Sequence, residues 1–165
     1  YGNSTKLYKV RLGDYHSLVP EEYEEEYGVD QILLHPNYHS HSNDYDLALV
    51  RLSLGVVGQA PGECVSFSPP LSLLPRRQCQ QYFHSAFTSR MLCAGSVQSE
   101  RRVDSCRGDS GGPLVCERPG GGWVVYGVTS WGHACRTHQS PGVYTKVSAF
   151  SSWIRKVTGR DEKKQ

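Results

Sequence analysis

Punctuation constrains this chain more than any other feature of its sequence. Gly, Pro and Asn-Asp turns cut it into short apolar runs at Leu7–Leu12, Val29–Leu34, Leu47–Leu52, Leu114–Cys116, Trp123–Ser130 and Gly142–Val147. Such runs read as strands, because Gly and Pro supply the backbone angles of a reversal and end ladder pairing. One stretch reads well as a helix. Val147–Val157 has apolar residues at 147, 150, 153, 154 and 157, a spacing near 3.6, and Gly159 follows it. A second short helix is expected over residues 76–84. The pattern predicts an all-β domain with a C-terminal helix, and 165 residues suffice for one core. Residues 53–75 stand apart, with Pro61, Pro69, Pro70 and Pro75 and no periodicity. The charged end, Asp161–Gln165, is expected to fray.

Charge removes two classes of partner. Lys and Arg total 18 against 16 Asp and Glu, a formal net charge of +2, which points to neither nucleic acid nor a polybasic membrane contact. The mean hydropathy of -0.50 and the lack of a long apolar run exclude a helical membrane span. No basic and apolar leader opens the chain, which starts at Tyr1 as if within a domain. The six cysteines, Cys64, Cys79, Cys93, Cys106, Cys116 and Cys135, form no C-x-x-C pair. That spacing argues against zinc and for structural disulfides in an oxidising compartment. Asn3-Ser4-Thr5 is an N-glycosylation acceptor and agrees with a secreted, extracellular protein.

Chemistry is concentrated in DSCRGDSGGP, residues 104–113. Glycines on both sides of Asp109-Ser110 allow a tight turn that points the Ser110 hydroxyl outward and converges backbone N–H groups beside it. An anionic tetrahedral intermediate needs such donors. The plainer reading is a Gly-Ser surface loop, which ten consecutive matching residues disfavour.

This segment resembles the nucleophile loop of the trypsin-like serine proteases. The resemblance runs over nearly the whole chain and implies an incomplete trypsin-like double β-barrel over 1–160, with a C-terminal helix. It implies Ser110 as nucleophile, the amides of Gly108 and Ser110 as oxyanion hole, and Asp109 as the partner of an N-terminal amine freed by zymogen activation. NDYDLALV, residues 43–50, is similar to the segment bearing the triad aspartate, which makes Asp46 that residue. On its own, Asp46 reads equally as a turn residue. Its implied role is to hold a histidine in one tautomer and stabilise its cation. Asp104 would lie at the floor of the specificity pocket, Ser130, Trp131 and Gly132 on its edge strand, and Gly132 and Gly142 in its walls. A protein or peptide substrate with Arg or Lys at the cleavage site follows. Arg107 and Ala134 depart from the common pattern, where glutamine and glycine are frequent.

The resemblance also pairs Cys79 with Cys93 and Cys106 with Cys135. It leaves Cys64 and Cys116 either bonded to each other or both unpaired. It sets Asp14, His16, Val19, Glu21 and Glu24 where relatives carry a calcium loop, while the residues themselves read as a solvated acidic loop over Glu21–Glu26. No other cofactor is expected.

Two pieces of the family pattern are missing. None of the seven histidines, His16, His35, His39, His41, His84, His133 and His138, stands in an Ala-Ala-His-Cys context, and no activation sequence precedes them. Asp46 and Ser110 are also closer in sequence than the family places them, which locates an internal deletion near 65–71. A strand pair would be lost, and neither barrel would close. The expected function is therefore a serine endopeptidase domain, acting by Ser-His-Asp acyl transfer in an intact parent with upstream modules. This chain is expected to be inactive alone. The alternative is a non-catalytic pseudoprotease acting as an extracellular binding module.

Overall fold

The computed structural model describes residues 4–12, 24–55, 71–95, 110–132 and 141–159. The chain divides into two units, Tyr1–Leu34 with Ala48–Phe67, and His35–Leu47 with Ser68–Gln165.

The first unit is built on one antiparallel sheet of strands β1 (Lys9–Leu12), β2 (Glu25–Leu34) and β3 (Ala48–Leu52), in the order β1-β2-β3. β2 starts earlier than its apolar run predicts, and the reason is cross-strand charge. Lys9 pairs with Glu26, and Arg11 reaches Glu24 at 2.7 Å and Glu26 at 3.5 Å, so opposite charges zip the polar half of β2 onto β1. The acidic run expected as a solvated loop is therefore strand at Glu25 and Glu26. A bulge between Val29 and Gln31 resets the register to β3. Val29 is buried, while Leu34, Val50 and Leu54 are exposed.

The second unit holds a five-stranded antiparallel sheet in the order β4-β5-β8-β7-β6. Its strands are β4 (Ser72–Leu73), β5 (Met91–Gly95), β6 (Pro113–Glu117), β7 (Trp123–Trp131) and β8 (Gly142–Lys146). β6 and β7 form a hairpin whose reversal uses Gly120, Gly121 and Gly122 at φ 92°, 94° and 90°, a region closed to most side chains. Helix α1 (Arg76–Phe83) fills the stretch expected to be helical. Val147–Phe150 is a 3-10 turn that runs into helix α2 (Ser151–Thr158), and Gly159 ends it in the left-handed conformation at φ 66°.

The fold is thus all-β and trypsin-like, with a C-terminal helix and sheets that leave a barrel half open among the described residues. The core of the second unit joins Cys79 and Phe83 of α1, Phe87, Met91 and Cys93 of β5, and Val143 of β8, with Leu74 and Trp131 packed against it. Met91–Gly95 is among the most buried strands, yet it went unread in the sequence. Met-Leu-Cys-Ala-Gly has neither β-branched residues nor alternation, because both of its faces are covered.

Candidate active site

Asp46 lies just before β3, in a segment set by the second unit. Leu47 N–H donates to the Tyr45 carbonyl at 2.8 Å, and His35 N–H donates to the Leu47 carbonyl at 3.0 Å. Two side chains of the five-stranded sheet then fix Asp46 itself. Thr145 Oγ1 on β8 donates to its carbonyl at 2.7 Å, and Ser130 Oγ on β7 donates to its Oδ2 at 2.6 Å.

Ser130 reaches the carboxylate because of a bulge. Thr129 pairs with Tyr144 and Trp131 with Val143, so Ser130 is the extra residue of β7. A bulge bends the strand and re-aims one side chain. It also lets Trp131 turn to the core, where its ring meets Phe83 edge-on at 5.0 Å. Trp131 Nε1 is buried without an acceptor among the described residues.

Ser110 is exposed, in the turn that leads into β6. Its neighbours tie it to the same stretch of β7. Gly111 N–H donates to the Thr129 carbonyl at 2.9 Å, and Thr129 N–H donates to the Gly112 carbonyl at 2.8 Å. Gly111 has φ 88°, which its lack of a side chain permits. Ser110 is thus pinned beside Thr129, and the next residue, Ser130, holds Asp46. Beyond Trp131, Gly132 passes close to β8. A Cβ there would lie 3.3 Å from Gly142 Cα and 3.4 Å from the Pro141 carbonyl oxygen. Gly142 is buried. The two glycines expected as pocket walls therefore lie against each other, and a side chain on Gly132 would crowd Gly142.

Asp104, Gly108 and Asp109 lie outside the described residues, as do Asn3, Cys64, Cys106, Cys135, Asp14, His16, Val19 and Glu21. Of the calcium candidates only Glu24 is described, and it is ion-paired with Arg11. Among the described residues no cluster of His, Cys, Asp and Glu is arranged to hold a metal. Cys79 and Cys93 are joined in a disulfide that ties α1 to β5. Cys116 on β6 carries a free, half-buried thiol.

Two of the described histidines, His35 and His39, have other partners. His35 is buried against Tyr45, Trp153 and Phe150 at ring distances of 4.9, 4.8 and 5.3 Å, and its Nδ1 accepts from Asn37 N–H at 3.2 Å. Burial pushes its imidazole below the ordinary value. His39 forms a backbone bridge with Asp44.

Sequence reading missed three residues that hold Asp46 and its turn: Thr145, Arg90 and Thr88. Arg90 grips Asp44 through Nε at 2.8 Å and Nη2 at 2.5 Å, and Thr88 Oγ1 adds a donor at 2.9 Å. No sequence signal links residues so far apart, although the Asn43-Asp44 turn was visible.

Comparison with known proteins agrees with this architecture. The family model described as Trypsin matches residues 1–68 and 68–154. The atrial natriuretic peptide-converting enzymes of Mus musculus and Rattus norvegicus are each 38% identical over 160 residues, covering 78% of this chain and 14% of theirs. The chain thus spans about a seventh of the length of these curated relatives. With a half-open trypsin-like sheet, a disulfide in the expected place and a family match over most of its length, the chain belongs to the trypsin family of serine proteases.

Proposed function

We propose that this chain is part of a secreted serine endopeptidase that cleaves protein or peptide substrates after Arg or Lys. The observation that carries the reading is the bulged Ser130, whose hydroxyl fixes the Asp46 carboxylate while its neighbour Thr129 pins the turn of Ser110. Charge and nucleophile candidates thereby converge on one stretch of β7. In an intact parent, a histidine between Asp46 and Ser110 takes the Ser110 proton as the hydroxyl oxygen attacks the scissile carbonyl carbon. Asp46 holds that imidazole in one tautomer and balances its positive charge. The amides of Gly108 and Ser110 receive the oxyanion, and Asp104 binds the basic side chain of the substrate in a pocket to whose wall Gly132 and Gly142 belong. At finer grain, Tyr1–Thr5, Leu12–Glu22, Arg102–Cys106, Val115–Gly120 and Trp123–Gly132 are similar to neurotrypsin, the mosaic protease of neurons, and suggest a parent of that kind.

On this reading no histidine of residues 1–165 has the sequence context of the general base, so Ser110 keeps its proton and stays a poor nucleophile. The chain alone is inactive on this reading. The family match breaks at residue 68, which supports an internal deletion near 65–71 within a domain over 1–160.

A fluorophosphonate probe tests the assignment. The 165-residue chain stays unlabelled, whereas a longer natural chain carrying an Ala-Ala-His-Cys-type segment is labelled on Ser110 and cleaves Arg and Lys peptides. Substituting Asp104→Ser in that longer chain abolishes the preference. Labelling of the short chain overturns its inactivity. A longer chain that neither labels nor cleaves replaces the protease by an extracellular binding module.

A further inference from the structure

Asp46 follows a strained turn. Asn43 and Tyr45 both have left-handed backbone, at φ 52° and φ 56°. Asn tolerates that region, but a bulky aromatic residue there is held by its surroundings. The nearest restraint is Arg90. Its fork binds both oxygens of Asp44, at 2.8 and 2.5 Å, and its Cζ lies 4.3 Å from the centre of the Tyr45 ring. Asp44 Oδ1 also accepts from Tyr45 N–H at 3.0 Å and from Thr88 Oγ1 at 2.9 Å. One guanidinium therefore holds the residue before Tyr45 by charge and the ring of Tyr45 by its π face.

The same arginine is anchored where Asp46 is anchored. Lys146 N–H donates to the Arg90 carbonyl at 2.8 Å, next to Thr145, whose hydroxyl holds the Asp46 carbonyl. β8 is thus the common base of the clamp and of the carboxylate. Exposure separates this ion pair from the ordinary surface kind. The side chains of Arg90 and Asp44 are 28% and 14% exposed, against 69% and 41% for Lys9 and Glu26. Water screens the first pair less, and a bidentate fork fixes orientation as well as distance. Hydrogen bonding from Arg90 also holds the Asp44 carboxyl below its ordinary range.

We propose that Arg90 and Asp44 are positioning residues: their ion pair locks the left-handed turn at Tyr45 and thereby aims the Asp46 carboxylate at Ser130. The consequence for catalysis rests on the protease reading given above, since Asp46 then meets its histidine only while the clamp is closed.

The carboxyl carbon of Asp46 reports the geometry in the 165-residue chain, without any need for activity. Its 13C resonance is read at neutral pH with and without the Ser130→Ala change. In the wild-type background, removing the Ser130 hydroxyl moves the resonance. In the Arg90→Met and Asp44→Asn backgrounds the same change moves it by less than about half as much, because the hydroxyl and carboxylate no longer meet. Arg90→Lys keeps the charge without the fork and falls between. Methyl signals of the buried Val143 verify that each variant is folded, and the milder Asp44→Asn and Arg90→Lys pair decides if Arg90→Met is not. An equal displacement in the wild-type and clamp-deficient backgrounds overturns the proposal. In a longer, active natural chain, Arg90→Met lowers kcat about tenfold and changes KM by less than about twofold. If that wild-type longer chain proves inactive, the catalytic reading fails, and the resonance comparison still decides the clamp.

Discussion

His35 shows how one buried residue couples pH to the fold. Tyr45, Phe150 and Trp153 surround its ring, and its Nδ1 accepts from the Asn37 N–H. Protonation would remove that acceptor and place a cation in an apolar site, so burial depresses the folded-state pKa. The unfolded histidine, with an ordinary value of about 6.5, takes up its proton first. The stabilisation is therefore complete above about 6.5 and is lost as pH falls toward the lower folded value. Thermal unfolding followed by circular dichroism is expected to show the melting temperature dropping through that window. In His35→Asn the drop is smaller. An equal slope in both proteins would show that His35 is not the group responsible. His35 was visible in the sequence only as a histidine before Pro36, since a residue's burial depends on what packs over it.

At the scale of elements, two links decide the second unit. The Cys79–Cys93 disulfide joins α1 to β5 across a sequence separation of 14, and both cysteines are almost fully buried. A closed loop of that size is worth roughly 3 kcal/mol through restriction of the unfolded chain. The double variant Cys79→Ala, Cys93→Ala is expected to lose about that much in urea unfolding monitored by tryptophan fluorescence. The second link is the approach of β7 to β8 and β6 at Gly127. A Cβ there would stand 3.0 Å from Tyr144 Cβ and 3.5 Å from Leu114 Cβ. Neither neighbour is the mobile end of a long side chain, so the strands themselves must shift. Gly127→Ala should cost about 1–3 kcal/mol in the same assay, and an unchanged midpoint would mean the sheet spreads freely. The strand runs around Gly127 and Gly142 were legible from their turns. β5 was not, because a strand covered on both faces carries no alternation to read.

For the whole molecule, burial is uneven between the two units. Among the described residues of the first, Val29 is the buried apolar one. The second buries Cys79, Phe83, Phe87, Met91, Cys93, Ala94, Val143, Tyr144 and Phe150. Protection from hydrogen exchange follows such density, because opening a region costs the contacts it must break. Amides of β5 and β8 are expected to exchange at least about a hundredfold more slowly than those of β1 and β3. Uniform protection across both sheets would mean that the first unit is stabilised by something other than its own packing. The half-open sheet among the described residues agrees in part with the expectation of incomplete barrels, and Leu34, Val50 and Leu54 are exposed.

Local chemistry settled much of this in the sequence. Glycine and proline fix where strands can stop, and a 3.6-residue apolar spacing marks the C-terminal helix. In DSCRGDSGGP the glycine after the serine was legible, and Gly111 takes φ 88° in the turn that follows Ser110. Other features depend on residues distant in sequence, and only tertiary structure decided them. The bulge that turns Ser130 onto Asp46 arises from the register between β7 and β8, which no single strand specifies. The Arg90–Asp44 clamp needs two segments to meet, and the strained Tyr45 persists only because they do. Strand, turn and helix positions follow from neighbouring residues. The aim of a side chain follows from everything packed around it.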